Sequence, residues 1–506
     1  MRTNTALSRR ELLELVLAGG LAAGLPSERG ATAQPTWRGK AAAPRNVIFM
    51  VADGMSLGVL SLAEPFSRVV RGRGTRWYSL LRDQRTVQGC FETWSLDSLV
   101  TDSAAASTAW ASGVQVCNGA LNVLPDGTEL VPLLRLWRER GFRVGLVTTT
   151  TITHATPAGF AAVQPDRNDE LSIAPQYLGR VDVLLGGGRK FFDVGQRPDR
   201  RDLLAEFVAG GYSLWERRQQ VLSNARAPRV LGLFADGHLP FTIDQRRDGE
   251  SAENVPTLAE MTAAALELLS QGEPGFFVQV EGGRVDHAAH ANDAAALLWD
   301  QLAFDDAVEV ACAFAERRGD TLVLITSDHG NSNPGLNGVG ENYRDSSRCF
   351  RSLTRVAASF QSLLPELRAA LPKSGREGVV EVLRQNLAFE PSPDEAERLC
   401  ALVGDSKPDA CLCAPNSLLG TLGCIVERHS GVGWTGMEHT ADLVWLSAVG
   451  PGAERFGGLL RHTEAYERLT ELFGIRHVNP RLTPKQAEAY LAQLPARPVT
   501  QQPHWA

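Results

Sequence analysis

The sequence has no excess of positive charge. Its 506 residues contain 51 lysines and arginines against 58 aspartates and glutamates, which gives a net charge of −7. A chain with this balance does not have the basic character of a nucleic-acid-binding protein, so we expect no nucleic-acid partner. An anionic substrate would have to be attracted by local cations, because the overall field repels it.

The sequence also has no apolar run long enough to form a permanent membrane anchor. Its apolar segment at residues 12–25 is short and rich in glycine, follows Arg9-Arg10 and precedes the small-x-small pattern Ala31-Thr32-Ala33. Residues 1–33 are therefore predicted to be a twin-arginine signal peptide, with an amphipathic N-terminal helix as the alternative. We expect a periplasmic or secreted protein with no membrane span in its mature form.

The spacing of a zinc ribbon is absent from the eight cysteines. Only Cys400, Cys411, Cys413 and Cys424 cluster, and their spacing does not fit that kind of metal site. One or two disulfides are the preferred interpretation, since cysteines in this number suit an oxidising compartment. The sequence leaves their pairing open.

Short apolar runs that end in polar or glycine-rich segments recur along the chain, with helical segments between them. These runs cover residues 47–52, 143–149, 181–185, 276–280 and 321–326. Each predicts a buried parallel strand. We therefore predict an α/β fold, a three-layer α/β/α sandwich around a mostly parallel sheet, with its chemistry at the carboxyl ends of the strands.

One long segment, residues 331–434, interrupts this alternation of predicted strands and helices. It is far longer than an ordinary connection, so it is predicted to form an inserted cap subdomain. The remaining chain divides into a catalytic core of residues 34–330 and 435–480, and a C-terminal helix and tail of residues 481–506.

A run of small residues at 100–113 contains Ser103 at the start of a predicted helix over 104–110. The free N–H groups of such a helix lie beside the serine hydroxyl, where an anion would bind. Taken alone, the run favours a tightly packed core helix with Ser103 as its cap. The acids and histidines elsewhere in the chain favour the alternative interpretation, in which Ser103 belongs to an active site.

Residues 281–290 contain two acids and two histidines just past a buried strand. On a helix, Asp286 and His290 share one face and can hold a single metal ion. Further candidate ligands, at the ends of other strands or late in the chain, are Asp53, Asp328, His329 and His439. Mixed histidine and carboxylate ligands suit zinc, whereas oxygen ligands from Asp, Glu and Thr suit magnesium.

Six motifs together resemble the alkaline phosphatase family. They are Asp53-Gly54-Met55, VTDSAAASTAW, HATPAG, VEGGRVDHAAH, TSDHG and EHTAD, and they occur in the family's order. The resemblance covers the chain from about residue 46 to 475, apart from much of 331–434. It implies hydrolysis of phosphate monoesters to an alcohol and inorganic phosphate through a phosphoserine intermediate.

The resemblance also implies a role for each matching position. Ser103 would be the nucleophile and Arg167 the phosphate-binding arginine. One zinc ion would be held by Asp286, His290 and His439, a second by Asp53, Asp328 and His329, and a third ion, usually magnesium, by Asp53, Thr156 and Glu281. Asp102, His154 and His287 would surround these groups without binding an ion. Many family members are dimers, so a homodimer is expected.

Three positions depart from the family pattern. His154 and His287 stand where the best-known bacterial members have an aspartate and a lysine. The family's usual histidine soon after the Asp-His pair is missing, because residues 330–334 read Gly-Asn-Ser-Asn-Pro. These changes concern the third ion and the rim of the pocket. The other histidines, His238, His429, His462, His477 and His504, are expected to lie outside the metal sites.

Two alternatives remain from different classes. The same fold could hydrolyse phosphodiesters, phosphonates or sulfate esters, but Ser103 lacks the C/S-x-P-x-R context of sulfatases. Diesterase relatives commonly lack the third metal site and the arginine, so Thr156, Glu281 and Arg167 favour the monoesterase. The second alternative is an exported metal- or phosphate-binding protein, which would have no need for a serine beside two metal ions.

Overall fold

A computed structural model describes residues 43–223, 227–387, 389–404 and 417–493. The predicted signal peptide, Cys411, Cys413 and residues 494–506 of the predicted C-terminal helix and tail, including His504, lie outside these ranges. Within them, no helix combines the length and the apolar composition needed to cross a membrane.

The described residues contain fourteen strands, and ten of them form one sheet. The strands are β1 Asn46–Val51, β2 Val87–Glu92, β3 Arg143–Thr151, β4 Val183–Gly187, β5 Ser213–Trp215, β6 Val230–Leu233, β7 Phe276–Glu281, β8 Thr321–Thr326, β9 Gly330–Asn331, β10 Gly335–Leu336, β11 Val432–Gly433, β12 His439–Thr440, β13 Val444–Val449 and β14 Gly458–Arg461. The order in the large sheet is β14-β2-β13-β8-β1-β7-β3-β4-β6-β5. Only β13 is antiparallel to its neighbours, β2 and β8, so the prediction of a mostly parallel sheet is confirmed.

Nineteen α-helices are present in the same residues. They are α1 Leu57–Arg71, α2 Arg76–Leu80, α3 Ser103–Ser112, α4 Leu133–Glu139, α5 Ala155–Ala161, α6 Glu170–Ile173, α7 Leu203–Ala209, α8 Arg218–Leu222, α9 Thr242–Arg247, α10 Gly249–Asn254, α11 Leu258–Leu269, α12 Arg284–His290, α13 Ala294–Arg318, α14 Ser346–Arg351, α15 Phe360–Leu387, α16 Pro393–Gly404, α17 Leu418–Ser430, α18 His462–Leu472 and α19 Pro484–Leu491.

Helices cover both faces of the sheet, which explains the continuous apolar run of β1. All six residues of this strand are buried. Its side chains alternate between two cores: Phe49 packs with Trp110 of α3 and Phe160 of α5, whereas Met50 belongs to the core shared with α11 and α13. A strand buried on both faces has no need of polar alternation.

The segment predicted as a cap contains helices α14 to α17. Their buried apolar side chains, such as Leu363 and Leu422, belong to the same core cluster as those of α13. The start of α15 is fixed by two acids, since Asp244 accepts the N–H of Ser359 at 2.9 Å and Asp293 accepts that of Phe360 at 2.6 Å. The division into core and cap stays a prediction.

Two of the clustered cysteines lie in neighbouring helices. Cys400 is in α16 and Cys424 in α17, and both are partly buried free thiols. Neither forms a disulfide with another described residue. The predicted disulfides stay a prediction, because the other two cysteines of the cluster lie outside the described ranges.

Candidate active site

Three adjacent parallel strands each end at an acidic side chain. Glu281 is the last residue of β7 and pairs with Val51 of β1, which in turn pairs with Thr326 of β8. Asp53 and Asp328 therefore follow the ends of their strands at the same edge of the sheet. All three acids are fully buried, so their charges need compensation by nearby groups.

The first group of candidate ligands joins α12 to the strand β12. Asp286 and His290 are four residues apart on α12, with Nε2 of His290 at 3.3 Å from Oδ2 of Asp286. His439 in β12 lies across from them, with its Nε2 at 3.7 Å from Oδ1 of Asp286. The ligand atoms of these three residues all lie within 4.8 Å of one another, which is close enough to hold one metal ion.

The hydrogen bonds of the two histidines fix which nitrogen faces the site. Nδ1 of His290 contacts the carbonyl oxygen of Met437 at 2.7 Å, and Nδ1 of His439 contacts that of Thr101 at 2.9 Å. A carbonyl only accepts, so Nδ1 of each ring carries a proton and Nε2 is the nitrogen that faces the site. Burial and the neighbouring His329 lower the pKa of His439 to about 3. The Nε2 atoms of the two rings face each other at 3.1 Å, an arrangement that suits metal coordination.

The second group consists of Asp53, Asp328 and His329, whose ligand atoms also lie within 4.8 Å of one another. Oδ1 of Asp53 and Oδ2 of Asp328 are buried and have no hydrogen-bond partner among the described residues. They lie 3.6 and 3.2 Å from Nε2 of His329. Burial and the negative charge of Asp328 raise the pKa of Asp53 well above its ordinary range. A cation would compensate this charge, so the group fits a metal ion.

Ser103 lies beside the second group, at the first residue of α3. The side chain of Asp102 caps this helix by accepting the N–H of Ala105 at 2.9 Å. Oγ of Ser103 is 3.2 Å from Nε2 of His329. The helix therefore brings one hydroxyl and its own N-terminal dipole to the edge of the carboxylate cluster, as the sequence predicts.

The third group of candidate ligands contains Asp53, His154 and Glu281. One carboxylate oxygen of Glu281 accepts hydrogen bonds from the hydroxyls of Thr148 and Thr150, while the other is buried and has no described partner. Thr156, predicted as the third ligand, donates to Oδ2 of Asp53 at 3.3 Å. The structure thus brings together the predicted Asp53, Thr156 and Glu281, and adds the imidazole of His154 to the same group.

Arg167 lies between the capping acid and His154. Its Nη1 donates to Oδ2 of Asp102 at 3.0 Å, and its Nη2 lies 3.2 Å from Nε2 of His154. Asp102 also accepts the N–H of Gly119 at 2.9 Å, so the carboxylate itself is fixed. The guanidinium is thereby held at the site rather than exposed on the loop of residues 164–170.

Asn331 stands near the position where the family resemblance leads one to expect a histidine. Its Nδ2 donates to Oδ1 of Asp286 at 2.7 Å, and its own Oδ1 accepts the hydroxyl of Ser332 at 2.7 Å. Its backbone pairs with that of His439 across the β9–β12 ladder. Asn331 thus supports two members of the first group. The sequence predicts the departure from the family but not this contact.

The rings of His287 and His238 lie next to each other beside the third group. Their ring centroids are 4.6 Å apart, and the ring of His154 lies 5.6 Å from that of His287 and 5.7 Å from that of His238. The backbone N–H of Thr151 donates to Nδ1 of His238. The place of His238 could not be predicted, because none of the six motifs contains it.

The chain is similar to known proteins over most of its length. The alkaline phosphatase family model matches residues 44–475. The chain belongs to the alkaline phosphatase family. Alkaline phosphatase 3 of Bacillus subtilis is 32% identical over 464 residues, which cover 90% of this chain and 94% of that protein. Streptomycin-6-phosphate phosphatase of Streptomyces griseus is 36% identical over 351 residues, which cover 60% of this chain and 77% of that enzyme.

Solved structures of the alkaline phosphatase family have the same fold. The alkaline phosphatase of Thermus thermophilus is 37% identical with a TM-score of 0.82, and the match covers 93% of this chain and 100% of that one. The cold-active alkaline phosphatase of a Shewanella species is 30% identical with a TM-score of 0.70, and covers 85% and 100%. The predictions of family, fold class and phosphate monoester hydrolysis are confirmed. The family is metal-dependent, and the three groups described above could hold the ions.

Proposed function

We propose that this alkaline phosphatase hydrolyses phosphate monoesters with Ser103 as the nucleophile, through a phosphoserine intermediate. The observation that carries the proposal is the position of its Oγ, 3.2 Å from Nε2 of His329 in a buried group that fits a metal ion. A binding protein would gain nothing from a hydroxyl at this point.

Two zinc ions and a third ion fit the three ligand groups. Asp286, His290 and His439 would hold one zinc, and Asp53, Asp328 and His329 the other. Asp53, Thr156 and Glu281 would hold magnesium, although the imidazole of His154 in the same group also suits an ion that accepts nitrogen. When bound, such ions polarise the phosphate ester and neutralise the charge that develops on the attacking and leaving oxygens.

The residues of the chain supply position and charge. Arg167 binds two phosphate oxygens through its planar guanidinium, while Asp102 orients it. Oγ of Ser103 loses its proton and forms a bond to phosphorus as the bond to the leaving oxygen breaks on the opposite side. The leaving oxygen takes up a proton and departs as the alcohol. Attack of water on phosphorus then breaks the bond to Oγ, restores the serine and releases inorganic phosphate. His238 and His287 stay neutral, because burial lowers the pKa of each well below its ordinary value.

The cellular setting follows from features of the sequence rather than of the fold. We propose export by the twin-arginine signal at residues 1–33, to the periplasm or the exterior, and assembly as a homodimer. Residues 331–434 would form a cap at the pocket rim. Small-molecule phosphate monoesters are the proposed substrates; the relative from Streptomyces griseus is named for one such compound, streptomycin 6-phosphate.

Hydrolysis of p-nitrophenyl phosphate and of bis-p-nitrophenyl phosphate tests the proposal. The metal-loaded wild-type chain should prefer the monoester, and Ser103→Ala should lose nearly all of this turnover. Ser374→Ala, at an exposed position of α15, is a control for a serine substitution outside the site. A preference for the diester would favour the phosphodiesterase alternative, and full monoester turnover by Ser103→Ala would exclude the phosphoserine route.

A further inference from the structure

Arg284 is a buried cation that the proposed mechanism does not use. Only 3% of it is exposed, and its Nε has no hydrogen-bond partner in the described chain. The guanidinium lies 3.7 Å from the ring centroid of Phe241, and burial lowers its pKa to about 10. Burying a guanidinium with an unpaired N–H group is costly, so its location needs a functional explanation.

The two terminal nitrogens of this guanidinium, Nη1 and Nη2, each contact an acceptor. Nη1 is 2.7 Å from Nδ1 of His287, and Nη2 donates to Oε1 of Gln361 at 2.6 Å. A guanidinium only donates, so Nδ1 of His287 must accept, and the proton of the neutral ring is on Nε2. Arg284 therefore fixes both the tautomer and the orientation of His287.

His287 in turn contacts the histidine that faces the phosphate-binding arginine. The ring of His287 meets that of His154 nearly at a right angle, at 87°, an edge-on geometry that is favourable for such rings. Nε2 of His154 lies 3.2 Å from Nη2 of Arg167. A continuous series of contacts thus connects Gln361 to the guanidinium proposed to bind phosphate.

Gln361 comes from the segment that departs most from the family pattern, yet its position is well fixed. The two residues before it are held by Asp244 and by Asp293, which itself caps α13. Gln361 is exposed at the surface, so its side chain covers the buried guanidinium from outside. Replacing it removes a contact without opening the core.

We propose that Gln361 and Arg284 are positioning residues for phosphate binding, which orient Arg167 through His287 and His154. The inference rests on the proposed role of Arg167 in binding phosphate. It gives the segment 331–434 a specific part in the site: its helix α15 supports the side of the pocket where the phosphate oxygens bind.

Steady-state kinetics of the metal-loaded enzyme with p-nitrophenyl phosphate tests this inference. Gln361→Ala should raise KM, and the inhibition constant of inorganic phosphate, by about two- to tenfold, the loss expected for one orienting hydrogen bond. Its kcat should stay within about twofold, because Ser103 and the ligand groups are untouched. Calorimetric titration with inorganic phosphate gives a readout independent of turnover.

Two further variants make the result decisive. Gln385→Ala removes an exposed glutamine beyond the kink at Gly375 of α15, where its side chain donates to Glu381, and should leave KM unchanged. Gln361→Glu keeps the acceptor and should retain the wild-type KM. Unchanged phosphate affinity in Gln361→Ala would overturn the inference. An equal rise of KM in Gln361→Glu would also overturn it, because that variant keeps the oxygen that accepts from Arg284. Failure of the wild-type chain to hydrolyse the ester would instead contradict the proposed function.

Discussion

Replacing Asn331 by alanine should weaken the proposed zinc binding at the first ligand group. Its Nδ2 is 2.7 Å from Oδ1 of Asp286, and the side chain is fully buried. A hydrogen bond to a charged group contributes about 1.5–3 kcal/mol, which corresponds to a loss of about ten- to a hundredfold in affinity. Without the donor, the carboxylate of Asp286 is free to rotate away from His290 and His439.

Competition with a chromogenic chelator of known affinity measures the effect. Asn331→His returns an N–H donor to this position and should recover most of the affinity, whereas Asn254→Ala, on the remote helix α10, serves as a control. The thermal stability of the metal-free proteins separates metal binding from folding. If Asn331→Ala binds zinc as tightly as the wild type, the contact with Asp286 does not support the site.

Three further results are expected. Arg167→Lys, which keeps the charge but loses the planar pair of donors, should raise the inhibition constant of phosphate in steady-state assays more than it lowers kcat; an unchanged constant would exclude Arg167 from phosphate binding. Removing metal with a chelator should lower the free energy of unfolding. The expected loss is about 4 kcal/mol per site relative to the protein in free zinc at about 1,000 times its Kd, and added zinc should restore it. Equal denaturant midpoints for the metal-free and metal-loaded proteins would contradict the metal sites. Burial raises the pKa of Asp305 to about 6, above its value in the unfolded chain, so its contribution to stability is greatest at low pH and falls as the pH rises from about 4 through 6. Asp305→Asn should therefore gain about 3 kcal/mol relative to the wild type between about pH 4 and pH 7, and a pH-independent difference in denaturant titrations would contradict this.

The sheet could be predicted where strands are buried on both faces. The runs that became β1, β7 and β8 are continuous and apolar, and their acids mark the carboxyl ends, so the convergence of Asp53, Glu281 and Asp328 follows from parallel pairing. The antiparallel direction of β13 could not be predicted, because an apolar run carries no information about its direction. The short edge strands β5 and β14 have no strong apolar pattern, because few of their side chains are buried.

The candidate ligands could be predicted because they lie in compact motifs, whereas the residues that support them could not. His238 and Gln361 reach the site from loops and helices far along the chain, and only the tertiary fold brings them to His287 and Arg284. His154 joins the third ligand group because of the direction of its side chain just before α5. The spacing of residues in the sequence does not determine that direction.

Trapping the covalent intermediate tests the central claim most directly. The metal-loaded enzyme would be incubated with a phosphate monoester, quenched with acid, digested and examined by mass spectrometry. We expect one added phosphoryl group on the peptide that contains Ser103, and none in Ser103→Ala. Phosphorylation of a different residue, or wild-type turnover by Ser103→Ala, would contradict it.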